Sequence, residues 1–269
     1  MLERSKELVV SSPAQLMKVS TRRDFLRVLG MGGAIVLMPA VFAACDDGES
    51  VTLPATGGAT TATLDLSTDL GILNYAYALE QLEAAFYTAV VASSPFSSFT
   101  TELQEVFYDL RNHEVIHREF FKAALGANAI GSLALNATAV NATLTSRDVI
   151  LKNAEAFEDL GVSAYNGAGK YLKSADYLTL AGKIVSVEAR HAAAIRDIRD
   201  ALGVVGGDSA GTRFAGDSVV SPSTGLDVKL EPGGVLSKVG ATGLVTTNIS
   251  ISKSPAVAAT ADAPPPVTP

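Results

Sequence analysis

Four long stretches between residues 67 and 202 repeat their apolar residues with the 3.6-residue period of a helix, and each carries glutamates inside that apolar pattern. The first runs from about Ser67 to Ser93, with Ser67 or Thr68 as a cap before Asp69. The second runs from about Thr100 to Leu125 and stops at Gly126; the third runs from near Ser146 to near Lys173; the fourth starts around Ala175 and stops at Gly203. The joins within the first and second pairs are short, which makes each pair antiparallel neighbours. The join over residues 126 to 145 is long, polar and free of charge. The expected fold is therefore all-α: an antiparallel four-helix bundle over residues 67–202 with a long crossover between its second and third helices.

The glutamates and histidines fall at helical spacings. Residues three apart on a helix differ by about 60° and residues seven apart by about 20°, so both pairs share a face. The second stretch offers Glu114 and His117, and the fourth offers Glu188 and His191, three apart in each case. The first offers Glu80 and Tyr87, and the third offers Glu158 and Tyr165, seven apart in each case. The chain thus reads Glu-x6-Tyr then Glu-x2-His, twice. Glu83 and Glu155 lie one turn from Glu80 and Glu158 and are alternative candidates for the same role.

A glutamate in a helix is most often a solvated surface residue, and a tyrosine there is most often a core aromatic. The repetition argues against four independent surface glutamates. Burying four carboxylates without partners costs several kcal/mol per charge. Two divalent ions offset that cost, and neutral imidazoles complete the coordination without adding charge. A mixed carboxylate and imidazole set suits iron or manganese better than copper or thiolate-bound zinc.

With these motifs the chain resembles the ferritin-like superfamily of di-iron and di-manganese carboxylate proteins, over about residues 67 to 202. It looks closest to the exported bacterial ferritin-like domain proteins, a branch related to desiccation-related proteins. The resemblance implies a dinuclear non-haem iron or manganese site, with Glu80 and Glu158 as terminal ligands and Glu114 and Glu188 as bridging carboxylates. It gives each metal one histidine, His117 or His191, and makes Tyr87 and Tyr165 groups that orient ligands or give up an electron. It also implies that Glu155 can serve as an exchanging ligand. The implied chemistry is reaction with O2 or peroxide, as a ferroxidase, a peroxidase or a catalase-like enzyme, with O2, peroxide or Fe(II) as substrate. The alternative is a structural or stress-protective envelope protein with little or no turnover.

His113-Glu114-Val115-Ile116-His117 also spells H-E-x-x-H, the zinc-protease motif. Its extended form fails, since Phe120 stands where glycine is needed and Ala123 where histidine is needed. A protease also has no use for Glu188 and His191. His113 is left without a ligand role. Arg190 and the run from Arg196 to Asp200 read as a solvated face.

The N-terminus reads as an address. Arg22-Arg23 precede Phe25-Leu26, then an apolar run leads to Ala43-Ala44 and Cys45, which resembles a twin-arginine export signal over residues 1–45. A transmembrane helix is the competing reading of the apolar run, which is glycine-rich, contains Pro39 and is short for a span. Cys45 is the single cysteine, so it forms no internal disulfide; "VFAAC" resembles a lipobox, which makes Cys45 a candidate lipidation site. Residues 46–66 are expected to form a flexible linker, and the protein to lie in the periplasm or cell envelope, with or without a lipid anchor to the membrane. Residues 203–269 are rich in Gly, Ser, Thr and Pro and are expected to form an irregular C-terminal extension, with a strand pair or short helix packed on the bundle. A net charge of −7 argues against a nucleic-acid partner. Homo-oligomers are compatible with the sequence; a lipid tether and a long tail disfavour a storage cage.

Overall fold

The structure, a computed structural model, describes residues 58–204 and 215–255. The export signal, with Arg22, Arg23 and Cys45, and the proline-rich end lie outside the described residues. The elements are β1 (Thr61–Asp65), α1 (Asp69–Val91), α2 (Thr101–Leu125), α3 (Ala137–Ala142), α4 (Arg147–Ala168), α5 (Ala175–Ala201), α6 (Pro232–Ala241) and β2 (Asn248–Lys253). Helices α1, α2, α4 and α5 form the bundle: α1 packs along α2, α4 along α5, and α1 against α4.

The helix ends are written in the sequence. Thr68, Thr100, Ser146 and Ser174 each accept a hydrogen bond from the backbone N–H three residues on. Asn136 does the same for α3. These caps satisfy donors that have no partner within the helix, each stabilising it by about 1 kcal/mol. Asp69, Glu102, Asp148 and Asp176 add negative charge to the first turns, where the helix dipole favours it. Asp69 also accepts from the backbone N–H groups of Lys173 and Ser174 at 2.8 and 2.9 Å, which fixes the start of α5 beside the start of α1. At the end of α2, Gly126 turns the chain with a φ of 53°, a conformation that suits glycine.

Helix α1 is buried on nearly every side. Two polar residues, seven apart on its outer face, strap the crossover down. The Asn74 side-chain amide donates to Asn128 O at 2.9 Å and its carbonyl accepts from Ile130 N at 2.8 Å. Gln81 Oε1 accepts from Leu133 N at 2.8 Å. The crossover is thus ordered against the bundle by hydrogen bonds that its uncharged, polar composition leaves free to form.

One expectation is corrected. The linker does not extend through residue 66: residues 61–65 form β1, which pairs in parallel with β2 from the tail. Ala62, Leu64 and Leu66 are buried beneath this two-stranded sheet. The C-terminal extension does carry the expected short helix packed on the bundle, and a strand besides, which pairs with β1. Val235 and Val239 of α6 enter the main core, and Leu230 N donates to Ser163 O at 2.9 Å on α4. Gly167 permits this docking, because a Cβ there would lie 1.9 Å from Leu230 O. Thr247 joins three segments, donating to Ala59 O at 2.6 Å and accepting from Ala134 N at 2.7 Å. Among the described residues, no helix is long and apolar enough to cross a membrane.

Candidate metal centre

Each of the four bundle helices supplies one carboxylate to a common point in the interior. Glu80, Glu114, Glu158 and Glu188 are all fully buried. His117 and His191 face them through Nδ1. His117 Nδ1 lies 2.9 Å from Glu188 Oε1, 3.4 Å from Glu80 Oε2 and 3.5 Å from Glu114 Oε2. His191 Nδ1 lies 3.0 Å from Glu114 Oε1, 3.3 Å from Glu158 Oε2 and 3.3 Å from Glu188 Oε2. Glu114 and Glu188 therefore each give one oxygen to each histidine, while Glu80 serves only His117 and Glu158 only His191.

The remaining oxygens of the terminal pair are held from behind, and the pairing crosses between the halves. Tyr87 of α1 donates to Glu158 Oε1 of α4 at 2.5 Å, and Tyr165 of α4 donates to Glu80 Oε1 of α1. Each tyrosine so fixes one carboxylate oxygen and leaves the other pointing inward. Burial pushes both phenols well above their usual range, so they remain donors. The six residues fall into two overlapping groups that can each hold a metal ion: Glu80, Glu114, His117 and Glu188, and Glu114, Glu158, Glu188 and His191.

A family model described as a ferritin-like domain matches residues 68–201. The chain belongs to the ferritin-like superfamily. Among curated proteins, none matches the chain.

The donor set of this ferritin-like centre fits two cations. Among the described residues, eight of the buried atoms without a hydrogen-bond partner belong to these six side chains: Glu80 Oε2, both oxygens of Glu114 and Glu188, Glu158 Oε2, and Nδ1 of His117 and His191. These are the atoms that converge between the helices, and leaving buried polar groups unmatched is costly. Without a cation the side chains compete for protons. Burial raises Glu80 well above the usual carboxylate range and pushes Glu158 up to about 8. Burial also acts on Glu114, but His117 and His191 outweigh it and hold its pKa at about 2. Burial opposes charge on His191, yet Glu114, Glu158 and Glu188 hold its pKa up at about 12; the carboxylates around His117 raise it well above the imidazole range. Divalent ions held among these atoms would supply the same compensating charge in place of the protons.

The two alternative ligands, Glu83 and Glu155, fall in neither group. Glu155 is buried but spoken for: its Oε2 pairs with Arg199 Nη1 at 2.5 Å, and its Oε1 lies 3.9 Å from Arg196 Nη2. Arg196 also binds Asp159 through both Nε and Nη2. The reading of residues 196 to 200 as a solvated face is corrected here, since Arg196 and Arg199 are 1% and 2% exposed. Their carboxylate partners sit on another helix, a pairing invisible to spacing along α5. Glu83 is buried beside the centre, and burial followed by the repulsion of Glu114 and Glu188 lifts its pKa well above the usual range. It extends over Gly161, where a Cβ would lie 3.0 Å from Glu83 Oε1. His113, to which the sequence assigned no ligand role, places its Nδ1 2.9 Å from His191 Nε2.

Proposed function

We propose that this protein is a dinuclear non-haem iron or manganese protein that reacts with O2 or peroxide, as a ferroxidase, a peroxidase or a catalase-like enzyme. The observation that carries the reading is the convergence of eight unmatched buried ligand atoms between four helices. Two ions of such metals share the two-electron change that cleavage of a peroxide bond requires. The chain supplies the rest. Glu114 and Glu188 tie the two positions together, each placing one oxygen on either side. Tyr87 and Tyr165 hold Glu158 and Glu80 with a single oxygen inward, which keeps the terminal carboxylates free to pivot about that fixed point. The His117 side chain is 12% exposed while its three carboxylate neighbours are fully buried, so a small molecule reaches the centre most directly along its edge.

We further propose, on the sequence alone, that the chain is exported by its twin-arginine signal and anchored through Cys45. Cell fractionation of wild type, Arg22→Lys/Arg23→Lys and Cys45→Ala chains tests this: the first variant is retained in the cytoplasm and the second is released from the membrane. Cytoplasmic wild type overturns it.

The site reading is tested by metal analysis and turnover. The purified chain is expected to hold about two iron or manganese ions, with the Glu114→Ala/Glu188→Ala variant holding none. Fe(II) oxidation and peroxide consumption assays then separate the chemistries. Wild-type protein that takes up no metal contradicts the site, and two bound ions without turnover favour a structural role.

A further inference from the structure

The two halves of the centre match residue by residue, which makes their departures informative. Glu114 and His117 on α2 correspond to Glu188 and His191 on α5. The residue before Glu114 is His113, and the residue before Glu188 is Val187. His113 is exposed at the bundle surface, and its Nδ1 lies 2.9 Å from His191 Nε2 with the two rings 7° from parallel. Nothing equivalent backs the other half: among the described residues no group hydrogen-bonds Nε2 of His117, whose three carboxylate contacts lie at Nδ1.

We infer that His113 is a positioning residue that makes the two metal positions unequal. An imidazole that gives its Nδ1 lone pair to a cation carries its proton on Nε2. For His191 that proton is donated to His113 Nδ1, so the tautomer and the ring orientation that ligation needs are fixed in advance. Partners of this kind raise metal affinity about 10–100-fold. The position formed by Glu114, Glu158, Glu188 and His191 is therefore the tighter one. The position formed by Glu80, Glu114, Glu188 and His117, on the more exposed edge, is the one from which an ion exchanges. This rests on the di-metal reading and sharpens it, because it names which ion is resident.

Co(II) titration of the full chain, followed by absorption and calorimetry, tests the inference without using turnover. Glu80→Ala disables the His117 position alone, and Glu158→Ala disables the His191 position alone. Adding His113→Leu is expected to weaken Co(II) binding about 10–100-fold in the Glu80→Ala background. The same change is expected to leave the Glu158→Ala background within about twofold of its starting affinity. His113→Gln, which keeps an acceptor for the Nε2 proton, is expected to restore most of the loss. Equal effects of His113→Leu in both backgrounds, or none in the first, overturn the inference. So does a Glu80→Ala chain that holds no ion while wild type holds two. Wild type that binds no Co(II) overturns the di-metal reading itself, and this inference with it.

Discussion

The helix pairs α1–α2 and α4–α5 perform one task with two textures. Where they match, at Glu80 and Glu158, Tyr87 and Tyr165, Glu114 and Glu188, and His117 and His191, the side chains converge on the centre. Where they differ, the surroundings differ. Glu83 faces Gly161 across the repeat, so one half fills with a carboxylate the room that the other leaves open. Tyr77 stands where the second half has Glu155 with its Arg199 partner, and His113 stands where it has Val187. The matched positions form the two overlapping groups that could each hold an ion, and the unmatched ones give those groups different surroundings.

The harshest break in this comparison is Glu188→Ala. It removes one oxygen from each position and leaves both histidines facing fewer carboxylates, so the chain is expected to lose both ions rather than one. Metal content by elemental analysis checks this, and a variant that keeps one full-occupancy ion denies Glu188 its shared role.

Next in size is Arg199→Ala, which strips Glu155 of its close partner and leaves a buried carboxylate exposed to its own desolvation. A loss of about 3–5 kcal/mol is expected in denaturant unfolding. Arg190→Ala, an exposed residue of the same helix, is expected to change stability by less than about 0.5 kcal/mol.

Tyr87→Phe and Tyr165→Phe sharpen the symmetry. Each leaves one carboxylate oxygen unmatched, and each is expected to cost about 1–3 kcal/mol. Thermal unfolding of the two variants side by side should give similar losses, and a large inequality would show that one cross-pair does more than its counterpart.

The smallest expected effect is in pH. Glu158 is raised from 4.5 to about 8, so its contribution to stability is full below 4.5 and is lost as pH climbs through 8. His191 is raised from 6.5 to about 12, so its contribution is full below 6.5 and fades above it. Glu114, lowered to about 2, contributes above 4.5 and loses that only as pH falls through 2. Across pH 6 to 8 the cation-free bundle therefore weakens, while metal meets less competition from protons. The rise in Tm on adding Mn(II) should be larger at pH 8 than at pH 6; the reverse order contradicts the proton bookkeeping.

Much of the bundle and the whole converging set were legible because helical geometry is local. Spacings of three and seven place Glu114 with His117, and Glu80 with Tyr87, on shared faces without knowledge of the neighbours. What escaped notice depends on partners far along the chain. Arg196 and Arg199 look like surface charge until Asp159 and Glu155 meet them from α4. Ala62 and Leu64 carry the alternation of a strand, but its partner begins at Asn248. The ordered crossover did leave a signal, in Asn74 and Gln81 seven apart on an apolar helix, where unpartnered amides have no reason to be. The crossed pairing of the tyrosines, each holding the glutamate of the other half, becomes visible only once α1 and α4 are packed together.

The central claim is that two ions sit between Glu114 and Glu188, and anomalous diffraction from crystals grown with Mn(II) addresses it directly. Two peaks are predicted, one among Glu80, Glu114, His117 and Glu188 and the other among Glu114, Glu158, Glu188 and His191. An absence of peaks between the helices, or a single peak shared by both histidines, would contradict the account.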